Sequence, residues 1–145
     1  MFVLAFGEAI LAGADAAEVY ANIRLPRLSP PFWLWITIGV LYYAVCGIVM
    51  ARLFASDHKL RHLALGVTLA LMSINAGWGV LFFRETQFAL AFFVSVPYAL
   101  GASGLYGLLR RIDPVAARIF APYLAYLAFA TLWTYAVYRA NPLMS

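Results

Sequence analysis

Four long segments of this chain contain no Asp, Glu, Lys or Arg, and they restrict its possible folds more than any other feature. They are Phe32–Ala51, Leu63–Phe83, Phe88–Leu109 and Ile119–Tyr138. A helix of about 20 apolar residues crosses the hydrocarbon core of a bilayer. Only 11% of the 145 residues are charged, against about a quarter in a soluble domain. The sequence therefore predicts an all-α integral membrane protein.

The N-terminal segment, residues 2–20, is apolar and favours a helix, but it contains Glu8, Asp15 and Glu18. Small residues around 14–17 resemble a signal-peptide cleavage site, yet no basic residue precedes the apolar part. A shortened first membrane helix is therefore the favoured interpretation. The whole chain, residues 1–145, is predicted to be one domain. It would form a five-transmembrane-helix bundle, with helices at about 2–20, 31–52, 63–83, 88–109 and 117–139.

The segment PRLSPPFWLW, residues 26–35, precedes the second apolar run. Ser29 can cap a helix that begins at Pro30, because proline at the first helical position loses no hydrogen bond. Prolines also hold the preceding loop in stiff, extended backbone. Trp33 and Trp35 then lie where indole rings favour the membrane–water boundary. These residues predict a rigid interfacial loop that leads into a helix.

Three predicted spans place polar and aromatic side chains on one face by helical spacing. An asparagine amide is unfavourable in lipid, so Asn75 should point into the bundle, either towards another helix or towards a ligand. For the aromatic residues, core packing is the stronger interpretation unless several faces converge on a cavity. The faces comprise Trp35, Gly39, Tyr42 and Cys46; then Asn75, Trp78 and Phe82; and finally Tyr123, Tyr126, Ala130, Thr134 and Val137.

The sequence contains no recognisable catalytic arrangement, neither a nucleophile with its base nor a glycine-rich phosphate loop. The protein is therefore not expected to be an enzyme. His58 and His62 share a helical face, but no further ligand cluster accompanies them, so no metal site is predicted. The net charge of +4 comes from residues between the apolar runs. Without a continuous basic patch, nucleic acid is not an expected partner.

Several motifs in a fixed order resemble the translocator protein/tryptophan-rich sensory protein (TspO/MBR) family. They are VYANIRLPRLSPPFWLW, LYY, INAGWGVLFF, IFAPYLAYLAFATLW and RANP, between about Glu18 and Pro142. The resemblance implies five membrane helices around an aromatic cavity, with the proline-rich loop as its lid. It implies hydrophobic ligands such as porphyrins and other tetrapyrroles, sterols or benzodiazepine-type drugs. No cofactor is obligatory, although a porphyrin or haem-like ligand is compatible with the resemblance.

By position, the resemblance assigns Pro30, Pro31 and Trp33 to the lid, and Tyr43 to the second helix. It also matches Asn75 and Trp78 in the third helix, and Pro122 with Tyr123 at the start of the fifth. Combined with the helix faces, the predicted ligand-binding residues are Pro30, Pro31, Trp33, Trp35, Gly39, Tyr42, Tyr43, Asn75, Trp78, Tyr123, Tyr126 and Thr134.

The chain departs from the family pattern at several positions. Gly39 and Tyr126 match tryptophans that are proposed to take part in light-driven porphyrin degradation in some members. Glycine supplies no oxidisable ring, so binding without efficient breakdown is the expectation. The other departures are Val19, Ile36, Val80 and Thr134.

The resulting hypothesis is a membrane receptor or carrier for hydrophobic ligands, with a role in tetrapyrrole metabolism or transport. Three alternatives are a proton-coupled small-drug transporter that uses Glu8, an enzyme that degrades its bound tetrapyrrole, and a structural membrane subunit. The expected partners are the lipid bilayer, a hydrophobic small molecule and a second copy of the chain. Small residues that permit close helix contact recur on the third and the fourth helix. They are Gly66 with Ala70, Ser73 with Gly77, and Ala99, Ser103 and Gly107. The resemblance favours the third helix as the dimer interface. The protein is expected to be multi-pass, in a membrane that the sequence does not specify.

Overall fold

The computed structural model describes residues 16–142, which are helical without any strand. The first helical segment in this range, α1, is described over residues 16–22. It is followed by α2 (Phe32–Phe54), α3 (Arg61–Gly79), a π-helix (Val80–Arg84) that continues α3, α4 (Phe88–Ile112) and α5 (Pro114–Ala140). Within residues 16–142, four helical units are long and apolar enough to cross a membrane: α2, α3 with its π-helix, α4 and α5.

The prediction of an all-α chain with four apolar spans is confirmed. The structure extends the predicted ends of these spans by a few residues at several points, as at α5, which begins at Pro114 and not near residue 117. Most of the predicted first span, including Glu8, lies outside the described residues. The count of five spans therefore stays a prediction.

Two helix starts illustrate how local chemistry sets the boundaries. Asp113 caps α5, because its carboxylate accepts hydrogen bonds from the backbone N–H groups of Val115 and Ala116 at 2.9 and 3.2 Å. The prediction that Ser29 caps a helix beginning at Pro30 is wrong, since α2 begins at Phe32 and has no side-chain cap. The Ser29 hydroxyl instead donates to the Pro26 carbonyl at 2.7 Å, which closes a turn in the preceding loop.

Among the described residues, two apolar clusters fill the interior, one towards each end of the bundle. Membrane helices associate largely through such close packing, because lipid tails are as apolar as the side chains. The first cluster joins α2, α3, α4 and α5 and includes Val49, Leu53, Leu105, Leu109 and Phe120. The second cluster joins α1, the π-helix, α4 and α5 and includes Tyr20, Phe82, Phe88, Trp133 and Val137.

A bidentate ion pair closes the end of the bundle beside the first cluster. Arg52, in the last turn of α2, donates to the two carboxylate oxygens of Asp113 at 2.6 and 3.1 Å. Asp113 thereby caps α5 and binds the end of α2 with one carboxylate. The hydrogen bond from the Arg52 guanidinium is the main cause that lowers the pKa of Asp113.

This arrangement predicts how thermal stability depends on pH. A lowered pKa in the folded state stabilises the protein above the unfolded value of about 3.9, and that contribution is lost as the pH falls through the folded pKa. We expect Asp113→Asn to lower the melting temperature by a few degrees at pH 7 and to reduce the further loss on acidification to pH 3. Melting in detergent, followed by circular dichroism, measures both effects.

The control is Asp57→Asn. The Asp57 side chain is fully exposed, and its contact with Arg61 is longer, at 3.6 Å. This variant should melt as the parent protein does at both pH values. If the Asp113 and Asp57 variants have equal melting temperatures at both pH values, the Arg52–Asp113 pair does not have this structural role.

Candidate functional site

A cavity of about 50 Å³ lies between the two apolar clusters. Faces of α2, α3 and α5 that carry the aromatic and polar residues predicted from sequence spacing converge on it. Six predicted ligand-binding residues line the cavity: Trp35, Asn75, Trp78, Tyr123, Tyr126 and Thr134. From the sequence, core packing was the stronger interpretation unless several faces converge on a cavity. Because they do converge, these residues indicate a binding site and not only a packed core. Contact of these residues with a ligand stays a prediction.

The other predicted residues lie around the cavity without lining it. Pro30 and Pro31 belong to the loop before α2, and Trp33 is 64% exposed. Tyr42 is buried behind the wall, where its ring centroid lies 4.6 Å from that of Tyr123. Gly39 and Tyr43 are partly buried. A Cβ atom at Gly39 would meet no other atom within 4 Å, so a side chain at this position has open space.

Helix α4 contributes a wall that the sequence reasoning did not assign. Tyr98 lies on the same α4 face as Val94, one turn away, and Ser95 is adjacent. The i, i+4 spacing of Val94 and Tyr98 places both residues on one face of α4. Every packed helix has such a face, so the spacing alone does not indicate a cavity. The other lining residues in the described part of the chain are Ile74, Leu127, Ala130 and Thr131.

The loop before α2 is held against the aromatic end of the cavity by side-chain hydrogen bonds. We call residues 24–31 the proline loop. Trp133 Nε1 donates to the Ser29 hydroxyl at 2.9 Å. The Tyr20 hydroxyl donates to the Pro30 carbonyl and accepts from Trp35 Nε1 at 3.3 Å. Because Trp35 lines the cavity, these bonds connect the proline loop to the cavity wall.

Ring contacts and a terminal clamp reinforce this end of the bundle. The Trp35 and Trp133 ring centroids are 4.6 Å apart, and Tyr20 stacks on Trp133 at 6.2 Å. Asn141, just after α5, accepts from the Arg24 backbone N–H at 2.9 Å and donates to the Arg24 carbonyl at 3.0 Å. Sequence reasoning did not assign Tyr20 and Trp133 to the site, because their contacts join segments that are far apart in the chain.

The polar groups that residues 16–142 present to the cavity are uncharged, and several are already hydrogen-bonded. Thr131 and Thr134 donate to carbonyls of their own helix at 2.9 and 2.8 Å, which leaves them little donor capacity. Trp78 Nε1 donates to the Ala91 carbonyl at 3.0 Å, which fixes the indole ring. The Asn75 side chain lines the cavity. Its amide makes no hydrogen bond to any residue between 16 and 142. Such a site suits a hydrophobic ligand with few polar groups.

Between residues 16 and 142, no group of three His, Cys, Asp or Glu side chains is arranged to hold a metal ion. The lone Cys46 is buried in α2 as a free thiol.

Comparison with known proteins gives consistent results along nearly the whole chain. A family model described as the TspO/MBR family matches residues 1–139. The chain is 30% identical over 128 residues to a translocator protein of Homo sapiens, covering 84% of this chain and 74% of that protein. It is 29% identical over 125 residues to a translocator protein of Sus scrofa, with the same coverage of 84% and 74%. It is also 24% identical over 140 residues to the tryptophan-rich protein TspO of Chlorobaculum tepidum, covering 94% of this chain and 88% of that protein.

Proposed function

The chain belongs to the TspO/MBR family, and from that premise we propose that it is a membrane-embedded receptor or carrier for hydrophobic ligands of the tetrapyrrole or sterol type. The observation that carries the proposal is the cavity between the two apolar clusters, on which aromatic faces of separate helices converge. A regulatory role in tetrapyrrole metabolism or transport would follow from reversible binding at this site.

The chemistry of the cavity wall supports a flat, conjugated ligand. Trp35, Trp78 and Tyr126 present aromatic rings to the cavity, and aromatic rings favour stacked or edge-to-face contact with other aromatic systems. The cavity volume of about 50 Å³ is far below the roughly 300 Å³ at the low end of small-molecule sites. Binding of a macrocycle therefore requires the cavity to widen, and the proline loop is the segment that we propose moves.

The proposal includes binding without efficient chemical breakdown. Gly39 offers no ring, and Tyr126 takes the position of the second tryptophan expected in degrading members. The names of the related proteins, translocator protein and tryptophan-rich protein, do not denote an enzymatic activity. Transport driven through Glu8 stays an alternative that the structure does not test, because Glu8 lies outside the described residues.

Titration of the purified protein with protoporphyrin tests this function. Three of the four tryptophans, Trp35, Trp78 and Trp133, lie at the cavity or in the adjoining cluster. We expect saturable tryptophan quenching with a stoichiometry near one ligand per chain. Quenching that rises linearly with porphyrin, as in protein-free detergent containing free tryptophan, would contradict the proposal.

We also propose that the protein forms a homodimer through α3. Gly66, Ala70, Ser73 and Gly77 are all exposed on this helix. Cβ atoms added at Gly66 and Gly77 would meet nothing within 4 Å. Such a surface lets two helix backbones approach closely.

Bulky residues at this surface should separate the dimer. We expect Gly66→Leu combined with Ala70→Leu to give monomers in detergent, measured by size-exclusion chromatography with light scattering. The fold should be preserved, because both positions face outwards. Gly107→Leu on α4, where an added Cβ also has open space, is the matched control and should remain dimeric. If the variant with Gly66→Leu and Ala70→Leu remains dimeric, the dimer interface does not lie on this face of α3.

A further inference from the structure

Three tyrosine hydroxyls lie together at the end of the cavity beside the first apolar cluster. Tyr98 and Tyr123 line the cavity, and their hydroxyl oxygens are 2.7 Å apart. Tyr42 packs on Tyr123, and its hydroxyl lies close to Tyr98 and Cys46. Tyr42 is 3% exposed and Tyr98 is 6% exposed. We call Tyr42, Tyr98 and Tyr123 the tyrosine cluster.

Two of the three O–H groups in the tyrosine cluster have no acceptor among the residues that the structure describes. Each hydroxyl carries one O–H donor. In the Tyr98–Tyr123 pair, one hydroxyl donates to the other, and the O–H of the accepting residue remains uncommitted. The buried Tyr42 hydroxyl makes no hydrogen bond of good geometry with the residues that the structure describes. Buried donors without an acceptor are unfavourable and rare in native proteins, so the cluster suits an additional acceptor.

The absence of charged side chains on the described cavity wall determines which hydrogen-bond acceptor the cluster can bind. The cavity wall contains no Arg, Lys, His, Asp or Glu side chain among residues 16–142. An ionised carboxylate would be unpaired there, and burying an unpaired charge is strongly unfavourable. A carbonyl oxygen accepts two hydrogen bonds without a net charge. The cluster therefore favours a neutral carbonyl over an anion.

We propose that the tyrosine cluster is a subsite that binds a neutral ketone, amide or ester carbonyl of the ligand through the Tyr98 and Tyr123 hydroxyls, which line the cavity. This inference rests on the proposed function of the cavity. The subsite selects carbonyl-bearing hydrophobic molecules and orients them with the carbonyl away from the proline loop. Anionic groups of a ligand then point to the opposite end. That end carries the exposed Arg24, Arg27, Arg84 and Arg139.

A matched pair of probes isolates the carbonyl. Fluorene and fluorenone share a tricyclic skeleton and differ in one carbonyl oxygen. We expect the full-length protein in detergent to bind fluorenone about 3- to 10-fold more tightly than fluorene, as one or two neutral hydrogen bonds allow. Affinities are corrected with protein-free micelles for partition of each probe into the detergent.

Variants of the cluster test where this preference arises. Tyr98→Phe with Tyr123→Phe removes both hydroxyls of the cluster that line the cavity. The affinity ratio should fall close to one, and fluorene should still bind because the ring packing is retained. The fluorene affinity also reports that the variant is folded. Tyr135→Phe is the control, since Tyr135 is 41% exposed and lies outside the cavity; it should keep the full ratio.

The outcomes separate this proposal from the proposed function. A ratio of one in the parent protein, or a ratio that survives in the double variant, overturns the carbonyl subsite. If protoporphyrin and fluorene bind but fluorenone gains nothing, the subsite alone is refuted, and a bound water is then the natural partner of the cluster. If neither protoporphyrin nor either probe binds, the proposed function is refuted and the subsite with it.

Discussion

Replacing Ala130 with tryptophan is expected to lower protoporphyrin affinity by about 100-fold or more, equivalent to about 2.7 kcal/mol or more of binding free energy. Ala130 lies on the α5 wall of the cavity and is partly buried. An indole ring at this position would occupy the space of about 50 Å³ that the ligand must enter. The protoporphyrin titration measures the loss.

Ala128→Trp is the matched control. Ala128 lies two positions earlier in the same helix and is exposed, so its indole would face the lipid and leave the cavity open. This variant should bind protoporphyrin as the parent protein does. If the Ala130 variant retains its helical content and melting temperature and still binds fully, the ligand occupies another part of the molecule.

Ser29→Ala is expected to raise both the association and the dissociation rate of protoporphyrin about 10-fold, with little change in affinity. Ser29 donates to Pro26 within the proline loop and accepts from Trp133 on α5. Two neutral hydrogen bonds of about 0.5–1.5 kcal/mol each can account for this change in rate. The bonds restrain the loop with and without ligand, so their removal lowers the barrier to opening in both states. Stopped-flow fluorescence measures the two rates.

Ser103→Ala provides the comparison for this variant. The Ser103 hydroxyl is exposed and donates to a carbonyl of its own helix at 2.8 Å, away from the cavity. Ser103→Ala should therefore leave the association and dissociation rates of protoporphyrin unchanged. Loss of affinity at unchanged association rate in the Ser29 variant would mean that Ser29 contacts the ligand directly and does not hold the loop.

The four described spans were predictable because their signal is local. Length and the absence of charge are properties of each segment alone, and they identify α2 to α5 without reference to packing. The 3.6-residue period likewise placed Trp35, Asn75 and Tyr126 on faces that the structure brings to one cavity. Both kinds of prediction depend on regular helix geometry.

The predictions were less successful where geometry is irregular or contacts are distant. Phe82 was grouped with Asn75 and Trp78 by regular spacing, but it lies in the π-helix that begins at Val80. The wider turn changes the register, and Phe82 is fully buried in the second cluster, stacked on Trp78 at 4.9 Å.

The role of Ser29 shows the effect of a distant partner. Its local sequence favours a helix cap, but the partner of its hydroxyl is Trp133, 104 residues away. The α4 wall was missed for a related reason. Val94 and Tyr98 have an ordinary spacing, and only the packing of α4 against the other helices gives that face its position in the cavity.

A crystal structure of the protein with protoporphyrin bound tests the central claim most directly, because it locates the ligand. We predict macrocycle density between Trp35, Trp78 and Tyr126 in a widened cavity, with the proline loop closed again on Trp133 and the propionates directed towards the loop end. Density on the lipid-facing surface, for example against the exposed Leu100 or Leu132, with the interior cavity still closed, would contradict the account.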